Sequence, residues 1–397
     1  MENSEATVED LARSVRDQGM EISAQGLDQR FTRNAAEFAK SVLEEAVLRA
    51  VQVPAKIPIE LLKRFNGVYL IDCSKLSLPE SLAETWPGTG KKGEANHAEL
   101  KLEAMFELSE GHLTGLNLLP GRIHDSRGEL ANAVLGPNSL RVQDLGYWNL
   151  KRMAEQNRRG EFWLSRYKHG TSLWTKAGEV FDLPQQLMSL EKQGITQAEY
   201  TVMLGASGLL ETRLIAQRMP QEAVAKRHAE LKQREAKKGR CPSKAQLILC
   251  GWTLLVTNAP QDILCADEAL ILYGARWQIE LLFKLWKSHS KIAVSRSSKP
   301  WRRLCEIYCK LLGAVIQHWI SLVGTWNNPR RSLVKAAHVV TDYAKVIALA
   351  FSGKGSLCNA LRTVIEAMQM GCDQNSRRKK PNTWLTLLLY LLPWGLT

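Results

Sequence analysis

A chain of 397 residues with 45% hydrophobic and 23% charged residues has the composition of a soluble globular protein, long enough for two or three domains. Its net charge of +13 and pI near 9.4 point to a polyanionic partner, nucleic acid first and an anionic membrane surface second. The opening MENSEATVEDLARS has no apolar signal core, and the greasiest run, 385–392, falls short of the ~20 apolar residues a bilayer span needs. A membrane location is therefore not expected, and that run reads as a packed terminal helix. The eight cysteines show no CxxC pairing, and Cys305 and Cys309 have no histidines at zinc spacing. They read as reduced thiols, mostly buried, in a cytosolic protein.

In chain order, residues 1–60 predict short helices. Val8, Leu11 and Val15 sit at helical spacing before Gly19, and Ser23 is placed to cap a second helix. A third carries Ala36, Phe38, Val42, Ala46 and Leu48 on one side. Helix, turn, helix fits a DNA-reading unit with Gln25, Gln29, Arg30 and Arg33 outward. A plain helical cap fits as well. Pro54 and Pro58 mark a linker. The apolar run Val68, Tyr69, Leu70, Ile71 predicts a buried strand ending in Asp72. The polar stretch WPGTGKKGEANH follows, then two alternating segments around Ser109–Glu110–Gly111, which predict a hairpin. SRGELANAVLG predicts a short helix, and SLRVQ a strand ending in Asp144. A helix over YWNLKRMAEQNRRG and a strand over FWLSRYK complete this part, 61–168.

Residues 169–250 predict an inserted, largely β segment. In it, AEYTVMLGASGLLETRLIAQRMP forms two strands around a glycine, and the basic helix QEAVAKRHAELKQREAKKGR closes it. The stretch LILCGWTLLVTN resumes the sheet and leads into 251–295, with one helix over 266–289. Residues 296–397 are helical, with a basic run at SRRKKP. Strand with Asp, two antiparallel strands, helix, strand with Asp, helix, strand is the order of a ribonuclease-H-like α/β core. Such a core brings two strand-borne carboxylates together and adds a third from a later helix.

The stretch YGARWQIELLFKLWK supplies that third carboxylate. At about 100° per residue, Tyr273, Arg276, Glu280 and Lys287 fall within about 60° of one another, and Lys284 joins their stripe. Ile279, Leu282, Leu285 and Trp286 lie opposite. Taken alone, this is a solvated face with i,i+4 ion pairs. Set beside Asp72 and Asp144, it becomes an all-oxygen ligand set for hard divalent ions, flanked by cations able to hold phosphate. Competing carboxylates have other uses. Asp125 follows a strand beside His124 and is the main alternative to Asp144, whereas Asp262, Asp267 and Glu268 suit a helix N-terminus. His124, His228 and His318 show no ligand spacing.

The spacing Y-x2-R-x3-E-x6-K resembles the YREK signature of DDE transposases of insertion-sequence family four. The likeness extends to IDCSKLSLP, QDLGYWNL, FWLSRYK, KPWRRLCEIYCKLL and NNPRRSLVKAA. It departs after Asp144, where Leu-Gly-Tyr stands and an Arg often precedes the Gly. The resemblance implies a ribonuclease-H-like catalytic core with a β-rich insertion and helical N- and C-terminal regions. It implies cut-and-paste transposition, with Asp72, Asp144 and Glu280 as the catalytic, metal-holding triad for two Mg²⁺ ions, Mn²⁺ serving as substitute. Tyr273, Arg276 and Lys287 would contact DNA at the transposon end, with Lys284, Arg30 and Arg33 as further cations. Partners would be double-stranded DNA, as terminal inverted repeats and target, and a second copy in a synaptic homodimer. A Trp of the insertion handles a flipped base in that family, and Trp174 and Trp252 both flank the insertion here. Two other functions share the carboxylates: a nuclease or resolvase without strand transfer, and an inactive DNA-binding derivative.

Overall fold

The computed structural model describes all residues except 1–4, 50, 52–56, 90–96, 207–209, 296, 376–380 and 391–397. The elements begin with α1 (Val8–Asp17), α2 (Ala24–Asp28), α3 (Arg33–Val47) and α4 (Glu60–Lys63). Thr7, Ser23 and Thr32 cap the first three, each side chain accepting a backbone N–H of the first turn. Then come β1 (Val68–Leu78), β2 (Ala98–Glu107), β3 (Leu113–Pro120), β4 (Leu140–Gln143), α5 (Leu150–Arg158) and β5 (Phe162–Arg166). The inserted part holds β6 (Leu173–Trp174), α6 (Leu183–Lys192), β7 (Gln197–Leu204), β8 (Leu210–Arg218), α7 (Gln221–Ala236) and α8 (Lys244–Cys250), before β9 (Trp252–Thr257). The rest is helical: α9 (Ala266–Ala275), α10 (Trp277–Ser288), α11 (Pro300–Thr325), α12 (Leu333–Asp342), α13 (Ala344–Phe351), α14 (Leu357–Gly371) and α15 (Thr383–Leu389).

The chain divides into two compact units. The first comprises residues 1–58, 71–131 and 277–384. Its strands follow the order β3-β2-β1, with β2 and β3 antiparallel. The turn between them needs Gly111, whose φ is +78°; a Cβ there would stand 2.3 Å from the Trp326 ring. α3 packs along α11 and buries Ala36, Leu43 and Val47. Phe38 and Leu48, predicted on the packed side, are exposed instead, because α11 takes up the Leu43 face. α11 is long and apolar enough to cross a membrane, but most of that stretch is buried among its neighbours.

The second unit comprises 59–70, 132–276 and 385–397. Here the start of β1 is followed in order by β4, β5, β9, β8, β7 and β6. β4 and β5 are parallel, and β5, β9, β8, β7 and β6 pair antiparallel in turn. The strands of the insertion, β8, β7 and β6, therefore continue this sheet beyond β9. Its core gathers Trp163, Leu187, Val202, Leu214 and Val256.

Several boundaries differ from the sequence reading. β1 does not end at Asp72 but runs six residues further, since Leu76 and Leu78 are buried and extend its inward face. SRGELANAVLG forms two 3₁₀ turns, Asp125–Arg127 and Leu130–Asn132, and no α-helix. LILC belongs to α8, capped by Ser243, so only WTLLVT is strand. RSLVKAAHVVTDYAKVIALAF is broken at Tyr343 into α12 and α13. Only Cys305 and Cys372 of the eight free cysteines are buried. Pro54, the middle of WPGTGKKGEANH and most of SRRKKP lie outside the described residues.

Candidate active site and nucleic-acid interface

In the first unit, Asp72 sits in β1, partly exposed, and its Oδ1 accepts the N–H of Cys73 at 2.8 Å. β1 lies between β2 and β4 in the sheet order, and Leu70, Ile71 and Leu76 are buried on either side of Asp72, so the carboxylate is carried by an interior strand. Glu280 lies in the first turn of α10, whose buried face is Gln278, Ile279, Leu282, Phe283 and Trp286. Burying that face leaves Glu280 partly open and Lys284 exposed. Lys287 is half-buried and donates from Nζ to the carbonyl oxygen of Lys75 at 2.9 Å; burial holds its pKa below that of a free lysine. Arg30 and Arg33 are exposed at the α2–α3 turn. Arg33 is committed to Glu37 at 2.8 Å, and its guanidinium lies 5.9 Å from the Trp301 ring centre.

In the second unit, Asp144 directly follows β4. It occupies the cap position of the 3₁₀ turn Leu145–Tyr147, yet its side chain makes no cap hydrogen bond. An aspartate there ordinarily turns back onto the backbone. Tyr273 is in the last turn of α9. Burial pushes its phenol up to about 12; the Arg276 charge opposes that shift and the Asp144 carboxylate reinforces it. The hydroxyl, neutral at physiological pH with or without that shift, is a hydrogen-bond donor. Arg276 stands 5.9 Å over the Tyr273 ring. The single helix expected over 266–289 is interrupted at Arg276, whose N–H closes a tighter turn onto Tyr273 O at 3.3 Å. Tyr273 and Arg276 therefore belong to one helical segment, and Glu280, Lys284 and Lys287 to the next.

Sequence reading missed a cleft of about 560 Å³ within this unit, lined by Leu145, Arg166, Tyr167, Arg227, Arg234 and Trp252, among others. Arg227 is half-buried and donates to Trp252 O at 3.3 Å; burial, then the neighbouring Arg166, lowers its pKa. The signal was present in the basic α7, where Arg227 and Arg234 recur at seven residues and share a face. Trp252 itself is buried and donates Nε1 to Glu191 at 3.0 Å, while Trp174 is half-buried and donates to Gly205 O.

The competing residues have structural partners. Asp125 pairs with the buried Lys101 at 2.7 Å. Glu268 caps α9 through the N–H of Cys265 and pairs with Arg64 at 2.8 Å. His318 and His228 bond backbone oxygens of Gly111 and Leu247. Among the described residues, no three His, Cys, Asp or Glu side chains stand together at metal-holding distance. Asp72 and Glu280 lie in the first unit and Asp144 in the second. As donors, all three offer only oxygen, the chemistry hard divalent ions accept.

A family model described as "Transposase DDE domain" matches residues 63–316, a span that contains all three carboxylates. The chain belongs to that family. It is 28% identical over 310 residues to the transposase for insertion sequence element IS231F of Bacillus thuringiensis subsp. israelensis, a match covering 74% of this chain and 65% of that relative. To the transposase for insertion sequence element IS1151 of Clostridium perfringens it is 23% identical over 371 residues, covering 87% of this chain and 77% of the relative. The chain thus spans just under two thirds of the length of its IS231 relatives. Among solved structures, a chain of the "Cryo-EM structure of piggyBac transposase synaptic complex with hairpin DNA (SNHP)" aligns at a TM-score of 0.43 and 11% identity, over 96% of this chain and 76% of that one. That likeness is too loose to define the fold. Within the matched span, Asp72 stands on β1, Asp144 directly after β4 and Glu280 in the first turn of α10.

Proposed function

We propose that this chain is a DDE transposase of insertion-sequence family four, with a ribonuclease-H-like core, acting on DNA at the ends of its own element. The observation that carries the reading is the family match over 63–316, which takes in Asp72, Asp144 and Glu280 together. The strand order β3-β2-β1 in one unit and β1-β4-β5 in the other supports the core assignment. Asp72, Asp144 and Glu280 would hold Mg²⁺, or Mn²⁺ in its place. Bound there, the metal would activate a water or 3′-hydroxyl and stabilise the departing oxygen in an in-line attack at phosphorus.

The chain's own residues do the rest. Tyr273 donates a hydrogen bond from its neutral phenol. Arg276 grips a phosphate through its planar fork, and the exposed Lys284 adds a point charge. Arg166, Arg227 and Arg234 extend the cationic surface beside Asp144, around Trp252. Arg30 and Arg33 contribute at the α2–α3 turn. Two copies would pair two ends in a synaptic complex, and a DNA substrate places the protein in the cytoplasm.

The test is a strand-transfer assay with labelled duplexes cut from the DNA flanking the coding sequence, with Mg²⁺ and a target plasmid. Cleavage followed by joining is expected. Cleavage without joining would show a nuclease, and binding without cleavage an inactive derivative.

A further inference from the structure

The first unit holds a cavity of about 460 Å³ that the candidate active site does not use. Its roof is α1, α2 and the turn after them, and its floor is α11 with the segment after α10. The sequence explains why the space stays open. Along the floor, Cys305, Cys309 and Gly313 recur every four residues on one face of α11, where small side chains leave room that leucines would fill. Of α1 only Ala12 is buried, and of α2 no residue is. Leu11, Val15, Leu27 and Phe31 line the cavity from above and stay only partly buried. Ion pairs hold this roof at its edges: Glu5 with Lys291, Asp17 with Lys345 at 3.7 Å, and Asp28 with Arg302 at 3.2 Å.

Most polar groups of the wall are taken. Glu306 pairs with Arg302 at 2.9 Å, and Gln317 donates to Ala337 O at 2.7 Å and to Thr341 Oγ1 at 3.1 Å. Burial, and then His338, lowers the pKa of His289, which adds no charge near neutral pH. Lys310 differs. It is half-buried, and its Nζ donates to Val294 O at 2.6 Å and to Lys291 O at 3.3 Å, both neutral acceptors. Those two bonds leave one ammonium hydrogen unused. Among the described residues, no carboxylate stands within ion-pair distance of it. Burial pulls its pKa below that of a free lysine, and Glu306 and Glu5 oppose that shift without cancelling it. An apolar space of this size with one under-compensated cation in its wall matches an apolar body that ends in an anion.

We propose that this cavity is a binding site for a small amphipathic carboxylate, its chain between the roof and the Cys305–Gly313 face and its head on Lys310. The proposal stands apart from the DDE reading, since it uses none of the three carboxylates and needs no DNA.

Decanoate and decanol share a chain length and differ in charge, so they are the probes. Calorimetric titration of the full chain with decanoate should show one saturable site, and the ligand should raise Tm. Decanol should bind about tenfold more weakly, the effect of one hydrogen bond between charged groups. Lys310→Met should erase that preference, weakening decanoate about tenfold and leaving decanol within about twofold. The thiols report the location. Cys309 lines the cavity and is exposed, as Cys241 and Cys358 are elsewhere. With decanoate at about ten times its Kd, alkylation of Cys309 by N-ethylmaleimide should slow about tenfold, because only the unliganded protein reacts. Cys241 and Cys358 should keep their rates. Cys309→Phe, which fills the space, should abolish binding of both probes. An unchanged Cys309 rate, or undiminished binding in Cys309→Phe, would overturn the site. Equal affinity of the wild type for the two probes would overturn the carboxylate and the role of Lys310, and that comparison stands even if Lys310→Met does not fold. Absence of saturable decanoate binding would end the proposal outright.

Discussion

Glu280 and Arg276 are four residues apart in sequence, yet the chain gives them different tasks. Glu280 stands in the first turn of α10 with its buried face behind it, and Arg276 closes α9 beside the Tyr273 ring. Under the proposed triad, replacing Glu280 with Gln removes a ligand's charge while keeping its shape. Cleavage of end DNA is expected to vanish, with Kd for the uncut end changed less than threefold in a gel-shift titration. Retained cleavage would remove Glu280 from the triad. Arg276→Ala should weaken end binding and lower the salt slope by about one, as one phosphate contact is lost. An unchanged slope would make Arg276 a structural partner of Tyr273 alone. The residue types at these positions were legible from spacing. Their ties were not: the Lys75 carbonyl that holds Lys287 lies 212 positions away in sequence.

At the scale of elements, the apolar run after Gly67 announced β1, but its length depended on pairing with β2 that no local pattern reveals. The helix over 266–289 was legible by its period, and its break at Arg276 was not, because Arg276 keeps right-handed helical dihedrals and only the hydrogen bond shortens. The joint between α11 and the β2–β3 turn is equally invisible in sequence. There His318, fully buried, bonds Gly111 O at 2.7 Å, and burial lowers its pKa from 6.5 to about 4. Between those two values the unfolded chain binds the extra proton, so this contribution is complete above pH 6.5 and is lost as pH falls towards 4. The slope is at most about 1.4 kcal/mol per pH unit. Urea titrations should show wild-type stability falling from pH 6.5 to 4.5, and a smaller fall in His318→Gln, whose amide can still donate to Gly111. Glu99 adds its own loss only below 4.5. Burial alone would raise its pKa, but hydrogen bonds from Thr89, Lys75 and His97 outweigh that and hold it at about 2. Equal slopes in the two proteins would mean that His318 is already charged.

For the whole molecule, the excess of thirteen positive charges is the property that binding to DNA should report most directly. With six or more phosphates neutralised, affinity for end duplexes should fall by about 10³ or more between 50 and 200 mM salt. Removing divalent metal with EDTA should leave that binding within about threefold and abolish cleavage, because the cations and the carboxylates are separate sets of side chains. Loss of binding on chelation would show that the metal organises the DNA surface as well. The division of the chain gives the carboxylates separate supports, since Asp72 and Glu280 belong to one unit and Asp144 to the other.

By itself the sequence determined which oxygen donors and cations are on offer and the place of most strands and helices, since these rest on residue type and on periods of two and 3.6 that any stretch of chain displays locally. It also carried the family likeness that the match over 63–316 bears out at the level of the DDE transposase domain. Only the tertiary structure decided how far β1 runs, where the signature helix breaks, that the insertion prolongs a sheet, and what Lys287, Asp125 and His318 bond. Apart from the helix break, each of these depends on a partner tens to hundreds of residues distant, brought near by burial of apolar faces, and a contact made that way leaves no pattern in the sequence around either residue.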